Sequence, residues 1–150
     1  MPSDASPFEL APWRSPLSRA LHRNRAQPFC RFLQLATLRS DGTPANRTLV
    51  FRGFLAESTQ LIMISDRRSE KISQLQQNPI AEACWYFTKT REQRRLSGHL
   101  TVVSADTAET SSADPQISVL AQSRQQLWER ISDNARLQFA WPHPKERRIE

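Results

Sequence analysis

The run Cys84-Trp85-Tyr86-Phe87-Thr88-Lys89-Thr90-Arg91-Glu92-Gln93-Arg94-Arg95-Leu96-Ser97-Gly98 decides the architecture of this chain. It opens inside a strand-like segment, Ile80 to Thr88, rich in aromatic and apolar residues. The charged Lys89–Glu92 stretch makes a turn, and a second strand is expected from Gln93 to Ser104. Two strands joined so tightly form an antiparallel hairpin. Arg94 and Arg95 are consecutive, so they point to opposite faces, and one of them meets an interior or an interface. Gln93 offers both a donor and an acceptor, which suits the polar rim of a flat heterocycle. Its plainer reading is a polar residue at a strand end. Gly98 is expected to mark a bulge or a close approach of backbones.

Working back from this hairpin, Arg67 to Gln77 reads as a helix with Ile72 and Leu75 inward, stopped at Asn78-Pro79. Leu61 to Ser65, Arg47 to Phe54 and Phe29 to Leu38 read as strands. Ser40-Asp41-Gly42-Thr43 supplies a tight turn, because Asp-Gly tolerates positive φ. A basic helix is expected over Leu17–Gln27, ended by Pro28, after a proline-rich irregular arm over residues 1–16. Working forward, residues 105–114 are polar and loop-like. Asp114-Pro115 then starts a helix carrying Ile117, Leu120, Ala121, Arg124, Leu127, Trp128 and Ile131 at helical spacing, with Trp128 expected as its core anchor. The remainder, through Trp141-Pro142-His143-Pro144, is expected to be irregular. Five strands without β-α-β alternation give a mainly β, antiparallel barrel with flanking helices, not a doubly wound sheet.

Composition narrows the chemistry. The 150 residues fit one domain over 1–150. Lys and Arg number 21 against 15 Asp and Glu, a net charge of +6 that favours anionic partners or simply aids solvation. The three glycines form no G-x-G-x-x-G or G-x-x-x-x-G-K-[ST] pattern, so any phosphate must be held by side chains and a helix end. Cys30 and Cys84 read as small apolar residues in a reducing compartment, and the cytoplasm is the expected location. Neither a signal peptide nor a run of about 20 apolar residues is evident, so no membrane partner is expected. His22, His99 and His143 show no metal-ligand spacing, and no nucleophile motif or acid–base carboxylate pair stands out. Catalytic residues are therefore not assigned, and no metal is expected.

An anion site can be read from the residues themselves. Ser69 precedes a helix and can cap it, Lys71 lies in the first turn, and Arg67 and Arg68 come just before. A phosphate there would meet a helix dipole, a hydroxyl and two or three cations. Arg47 could join them if its strand runs alongside. A solvated helix start with ordinary surface charges is the competing reading.

Three stretches together, Arg47-Thr48-Leu49-Val50-Phe51-Arg52, Ser65-Asp66-Arg67-Arg68-Ser69-Glu70-Lys71 and Cys84 to Gln93, resemble the FMN-binding split-barrel family of pyridoxamine 5'-phosphate oxidase. The likeness is strongest to relatives carrying W-Y-F-x-K-T-R-E-Q, and it covers residues 30–104 most fully. The resemblance implies a Greek-key split β-barrel and a homodimer with FMN at the subunit interface. It also implies that Arg47, Thr48, Leu49 and Val50 line the flavin, Ile64 and Ser65 end the next strand beside it, and Ser69 and Lys71 bind phosphate. Gln93 corresponds to the glutamine that reaches the ring. Two departures follow. Glu70 stands where the family's S-R-K element has arginine, so Arg67 or Arg68 is expected to substitute. Ser112 to Ser118 does not match the family's R-P-x-x-S-Q-x-x-A-W substrate element, which argues against pyridoxamine phosphate as substrate. Family members also continue with further strands and a segment carrying Arg and Trp, so the C-terminal part of the family domain is expected to be missing here.

The first functional expectation is an FMN-binding oxidoreductase that transfers hydride between a small-molecule substrate and flavin, in which the ring carries the chemistry and the protein orients it. The alternatives are a flavin-binding module without turnover and, ranked below both, a basic nucleic-acid-binding domain.

Overall fold

The computed structural model describes residues 10–56, 58–110 and 115–146. Strands β1 (Phe32–Leu38), β2 (Pro44–Phe54), β3 (Leu61–Met63), β4 (Ile80–Phe87) and β5 (Glu92–His99) form one curled sheet in the order β3-β2-β1-β4-β5. Three neighbours are joined by short turns, while β4 returns to lie antiparallel beside β1, with Gln34 opposite Cys84 and Ala36 opposite Glu82. That return is the Greek-key order expected above. The helices are α1 (Arg14–Arg23), α2 (Glu70–Gln77), α3 (Ala105–Thr110), α4 (Pro115–Arg130) and α5 (Asp133–Leu137).

Two compact units emerge. The first takes in the described chain up to Ala36, Pro44–Ile64 and Ala81–Gly98. Its core follows from strand alternation: Leu33 and Leu35 on β1 and Ala81, Ala83, Trp85 and Phe87 on β4 are buried, whereas Phe32, Glu82 and Tyr86 face outward. Trp85 and Phe87 are fully buried with ring centroids 5.3 Å apart, and Phe51 lies 5.0 Å from Trp85. The Trp85 indole N–H donates to the Cys30 carbonyl at 2.8 Å, so the ring's polar edge is satisfied inside the core. At the end of α1 the fully buried Asn24 donates to Ala20 O and Thr90 Oγ1 and accepts from the Lys89 N–H at 3.0 Å. One amide side chain thus ties α1 to the β4–β5 turn.

Several expectations shift. The basic helix starts at Arg14, three residues early, and ends at Arg23; residues 28–31 form a 3₁₀ turn, so β1 begins at Phe32 and not Phe29. Pro28 cannot donate to a ladder, which accounts for the turn. β5 stops at His99, short of Ser104. Gly98 has open space around its Cβ position, so no close backbone approach explains it; a register irregularity lies at Gly53, where the β2–β3 pairing slips and φ is +141°. Nothing lies within 4 Å of a Cβ built on Gly53, so a substitution there is strained only through its backbone. Gly53→Ala is expected to destabilise the fold by about 1–3 kcal/mol, read as a lower denaturant midpoint with unchanged slope.

The second unit comprises Thr37–Thr43, Ser65–Ile80 and the described residues from His99 onward. Its β1–β2 turn is the Asp-Gly type expected: Gly42 has φ +81° and Asp41 Oδ1 accepts the Thr43 N–H at 2.9 Å. α2 starts at Glu70, not Arg67, and buries Leu75, Gln74 and Lys71; Gln74 accepts from the buried Thr37 hydroxyl at 2.6 Å. Residues 105–110, expected as loop, are helical. Asp114, the expected cap of α4, and Ser112-Ala113 lie outside the described residues. α4 forms as expected and packs with α3, but none of its described side chains is buried. Trp128 is 39% exposed and is not a core anchor. It meets Phe139 edge-on at 5.5 Å, while Arg136 donates to the Trp128 and Glu129 carbonyls and so closes the C-terminus of α4. The stretch after α4, expected as irregular, holds α5 and a 3₁₀ turn over Gln138–Ala140.

Candidate cofactor site

In the second unit, the chain between β3 and α2 gathers the polar groups. Lys71 is 92% buried in the sense that only 8% of it is accessible, yet it carries an ammonium, which requires compensating partners. Its Nζ donates to Ser65 Oγ at 2.6 Å and to Ser69 Oγ at 2.8 Å. Ser69 and Lys71, expected at the phosphate, thus meet Ser65, which was expected at the end of the neighbouring strand; Arg47, also expected to join the phosphate, lies in the first unit. Ser69 occupies the N-cap position, but its hydroxyl makes no capping bond and is turned to the lysine instead. That corrects the capping role read from sequence, because a neighbouring ammonium is a stronger partner for the hydroxyl than a backbone N–H.

Arg67 and Arg68 take other directions. Arg67 pairs with Asp106 at 3.0 Å in an exposed ion pair. Arg68 grips both oxygens of Asp66 and donates Nη2 to the Trp141 carbonyl at 3.0 Å. The Arg68 hydrogen bond holds the Asp66 carboxyl below its ordinary value, and Asp66 raises Arg68 in turn. Glu70 meets Lys145 at 2.6 Å. A groove of about 570 Å³ opens in this unit, lined among others by Arg67, Arg68, Ser69, Ile72, Val102 and Thr107. Lys71 and Ser65 are not among its lining residues.

The first unit carries the remaining expected residues. Arg47, half-buried on β2, donates Nη1 to the Leu35 and Ala45 carbonyls, each at 3.1 Å. Thr48 is exposed and accepts from Gln34 Nε2 at 3.2 Å; Leu49, Val50 and Ile64 are half-buried. Gln93 stands exposed near the start of β5. Arg94 is the half-buried member of its pair and Arg95 the exposed one, as strand alternation requires. Arg94 Nη2 binds Glu92 at 2.7 Å, while its buried Nε has no partner among the described residues. The Thr90 hydroxyl, then Arg94 and the field of Arg23, hold Glu92 below the ordinary 4.5 of a glutamate.

Both depressed carboxylates give stability that is complete above their unfolded pKa and lost as pH falls through the lower folded value. The loss is therefore expected below about pH 4.5, the ordinary value for Glu92. Glu92→Gln is expected to flatten the acid limb of an unfolding midpoint-versus-pH curve and leave the neutral plateau in place.

Sequence reasoning missed Asp66, Lys145 and Asn24. Asp66 was within reach, since Asp two residues before Arg in a loop is a common local pair. Lys145 was not, because 75 residues separate it from Glu70. Among the described residues no group of three or more His, Cys, Asp or Glu is placed to hold a metal, and no helix is long and apolar enough to cross a membrane.

Comparison with known proteins adds four findings. The family model described as pyridoxamine 5'-phosphate oxidase, FMN-binding domain, matches residues 10–104. Pyridoxine/pyridoxamine 5'-phosphate oxidase 2 of Arabidopsis thaliana is 37% identical over 135 residues; the match takes in 90% of this chain and 64% of that protein. The chain thus spans less than two thirds of that relative's length. The crystal structure of a pyridoxamine 5'-phosphate oxidase-related, FMN-binding protein from Nostoc punctiforme superposes with a TM-score of 0.83 at 50% identity, covering 94% of this chain and 70% of the other. PhzG from Burkholderia lata, at 21% identity and a TM-score of 0.53 over 88% of this chain and 74% of its own, shares the fold.

Proposed function

The chain belongs to the pyridoxamine 5'-phosphate oxidase FMN-binding domain family, and from that premise we propose that it is an FMN-dependent oxidoreductase acting on a small molecule. The observation that supports this best is Lys71, a buried ammonium braced by two serine hydroxyls beside the start of α2. Such a donor set suits a phosphate dianion: a fixed cation, two hydroxyls and the positive end of a helix dipole. In the second unit Ser65, Ser69 and Lys71 would hold the phosphate, with Arg67 and Arg68 near its approach. In the first unit Arg47, Thr48, Leu49, Val50 and Ile64 would lie along the cofactor, and the Gln93 amide would donate to and accept from its ring. When bound, FMN supplies the hydride-accepting ring. The protein fixes its orientation and shields one face from water.

A homodimer belongs to this reading. Phe32 and Tyr86 stand on the outward faces of the paired strands β1 and β4, about half exposed, and a second copy would cover them. A reducing, cytoplasmic setting suits the free thiols of Cys30 and Cys84.

The test is anaerobic reduction of the FMN-loaded protein followed by exposure to oxygen and to candidate amines and imines. Turnover faster than free FMN under the same conditions supports the oxidoreductase. Bound flavin that cycles no faster than free flavin supports a carrier or sensor module instead.

A further inference from the structure

The second unit contains a contact that the phosphate reading leaves unused. Glu70, the first residue of α2, places a carboxylate beside the proposed phosphate end, where it would repel an incoming dianion. Lys145 reaches it from the far end of the described chain, Nζ to Oε1 at 2.6 Å. We propose that Lys145 is a positioning residue for the anion: it neutralises Glu70 and thereby admits a phosphate next to Lys71. This rests on the FMN reading above.

The ordinary account of such a pair is a solvated surface contact, since both side chains are well exposed at 72% and 60%. Two observations argue for more. Lys145 has φ +78°, a conformation that disfavours a residue with a Cβ and persists only where its surroundings hold it. A second tether lies a few residues earlier, where Arg68 donates to the Trp141 carbonyl, and a turn bond from Glu146 N–H to His143 O at 2.9 Å closes the loop between them. The segment 141–146 is thus fastened at two points to the residues that lead into α2.

Charge gives the reason. Arg67, Arg68, Lys71 and Lys145 stand against Asp66, Glu70, Asp106 and Glu146, whose field reaches Arg68. Among the described residues these charges balance with Lys145 present and leave an excess of negative charge without it. Arg67 and Arg68, expected from the sequence to compensate for Glu70, are each already engaged by an aspartate.

A double-mutant cycle over Lys145 and Glu70 tests the idea, with FMN and riboflavin as probes and binding read by flavin fluorescence. At low ionic strength Lys145→Ala is expected to weaken FMN roughly threefold to fivefold and leave riboflavin unchanged, with Lys145→Arg restoring the affinity. Glu70→Gln is expected to tighten FMN, and Lys145→Ala made on that background to change nothing. The effect should fade as salt screens the exposed pair. An equal loss on both backgrounds, an equal loss for riboflavin, or no loss at all overturns the proposal while the flavin reading stands. Wild-type protein that binds neither flavin overturns both.

Discussion

Replacing Lys71 by alanine is expected to weaken FMN binding about 10- to 100-fold and leave riboflavin binding unchanged. The magnitude follows from charge-assisted hydrogen bonds, worth about 1.5–3 kcal/mol each, at about 1.4 kcal/mol per factor of ten. Lys71 is 8% exposed and its ammonium is already aligned by Ser65 and Ser69, so little ordering remains to be done on binding. Riboflavin lacks only the phosphate, which makes it the internal control. Equal loss of both flavins would mean that the substitution damages the fold or that Lys71 serves the ring. The complementary variant, Gln93→Ala, should weaken both flavins together, because Gln93 is assigned to the ring and lies in the other unit. Fluorescence titration of the two ligands against wild type and both variants separates these cases.

The largest expected effect on stability is at Trp85. The side chain is fully buried, touches Phe51 and Phe87, and satisfies its indole N–H on Cys30. Trp85→Ala removes that packing and leaves a cavity, at a cost of about 3–5 kcal/mol. For a chain of this size that lowers the thermal midpoint by roughly 10 °C or more. Trp85→Phe keeps most of the volume but orphans the Cys30 carbonyl, so a smaller loss of about 1–3 kcal/mol is expected. If both variants unfold at the wild-type temperature, Trp85 is not the centre of the first unit's core.

Much of the sheet was legible because strand burial follows a two-residue period that composition cannot hide. Trp85 and Phe87 against Tyr86 is such a pattern, and so is the Asp41-Gly42 turn, where backbone conformation demands those residue types. Boundaries set by hydrogen bonding were harder: residues 29–31 lie in a 3₁₀ turn where the first strand was expected to begin, and the arm before Leu17 is already helical from Arg14. Trp128 misled because helical spacing shows which residues share a face, not whether anything covers it. The close backbone approach expected at Gly98 did not appear, since such an approach depends on what the fold brings alongside.

At the candidate site, Ser65, Ser69 and Lys71 were readable because they lie within seven residues, and their convergence needs only one loop and one helical turn. The fate of Arg67 and Arg68 was not readable. It depends on Asp106 and Trp141, which only the tertiary fold brings within reach. The same holds for Lys145 at Glu70, and for Asn24, whose burial under the β4–β5 turn no local pattern announces.

The central claim is that this chain binds FMN. The direct measurement is to purify the protein gently, record its visible absorption, and release and identify any chromophore by mass. The account predicts a yellow protein that yields FMN, or a colourless one that turns yellow and retains FMN through gel filtration once the cofactor is added. A protein that stays colourless and releases all added FMN would contradict it.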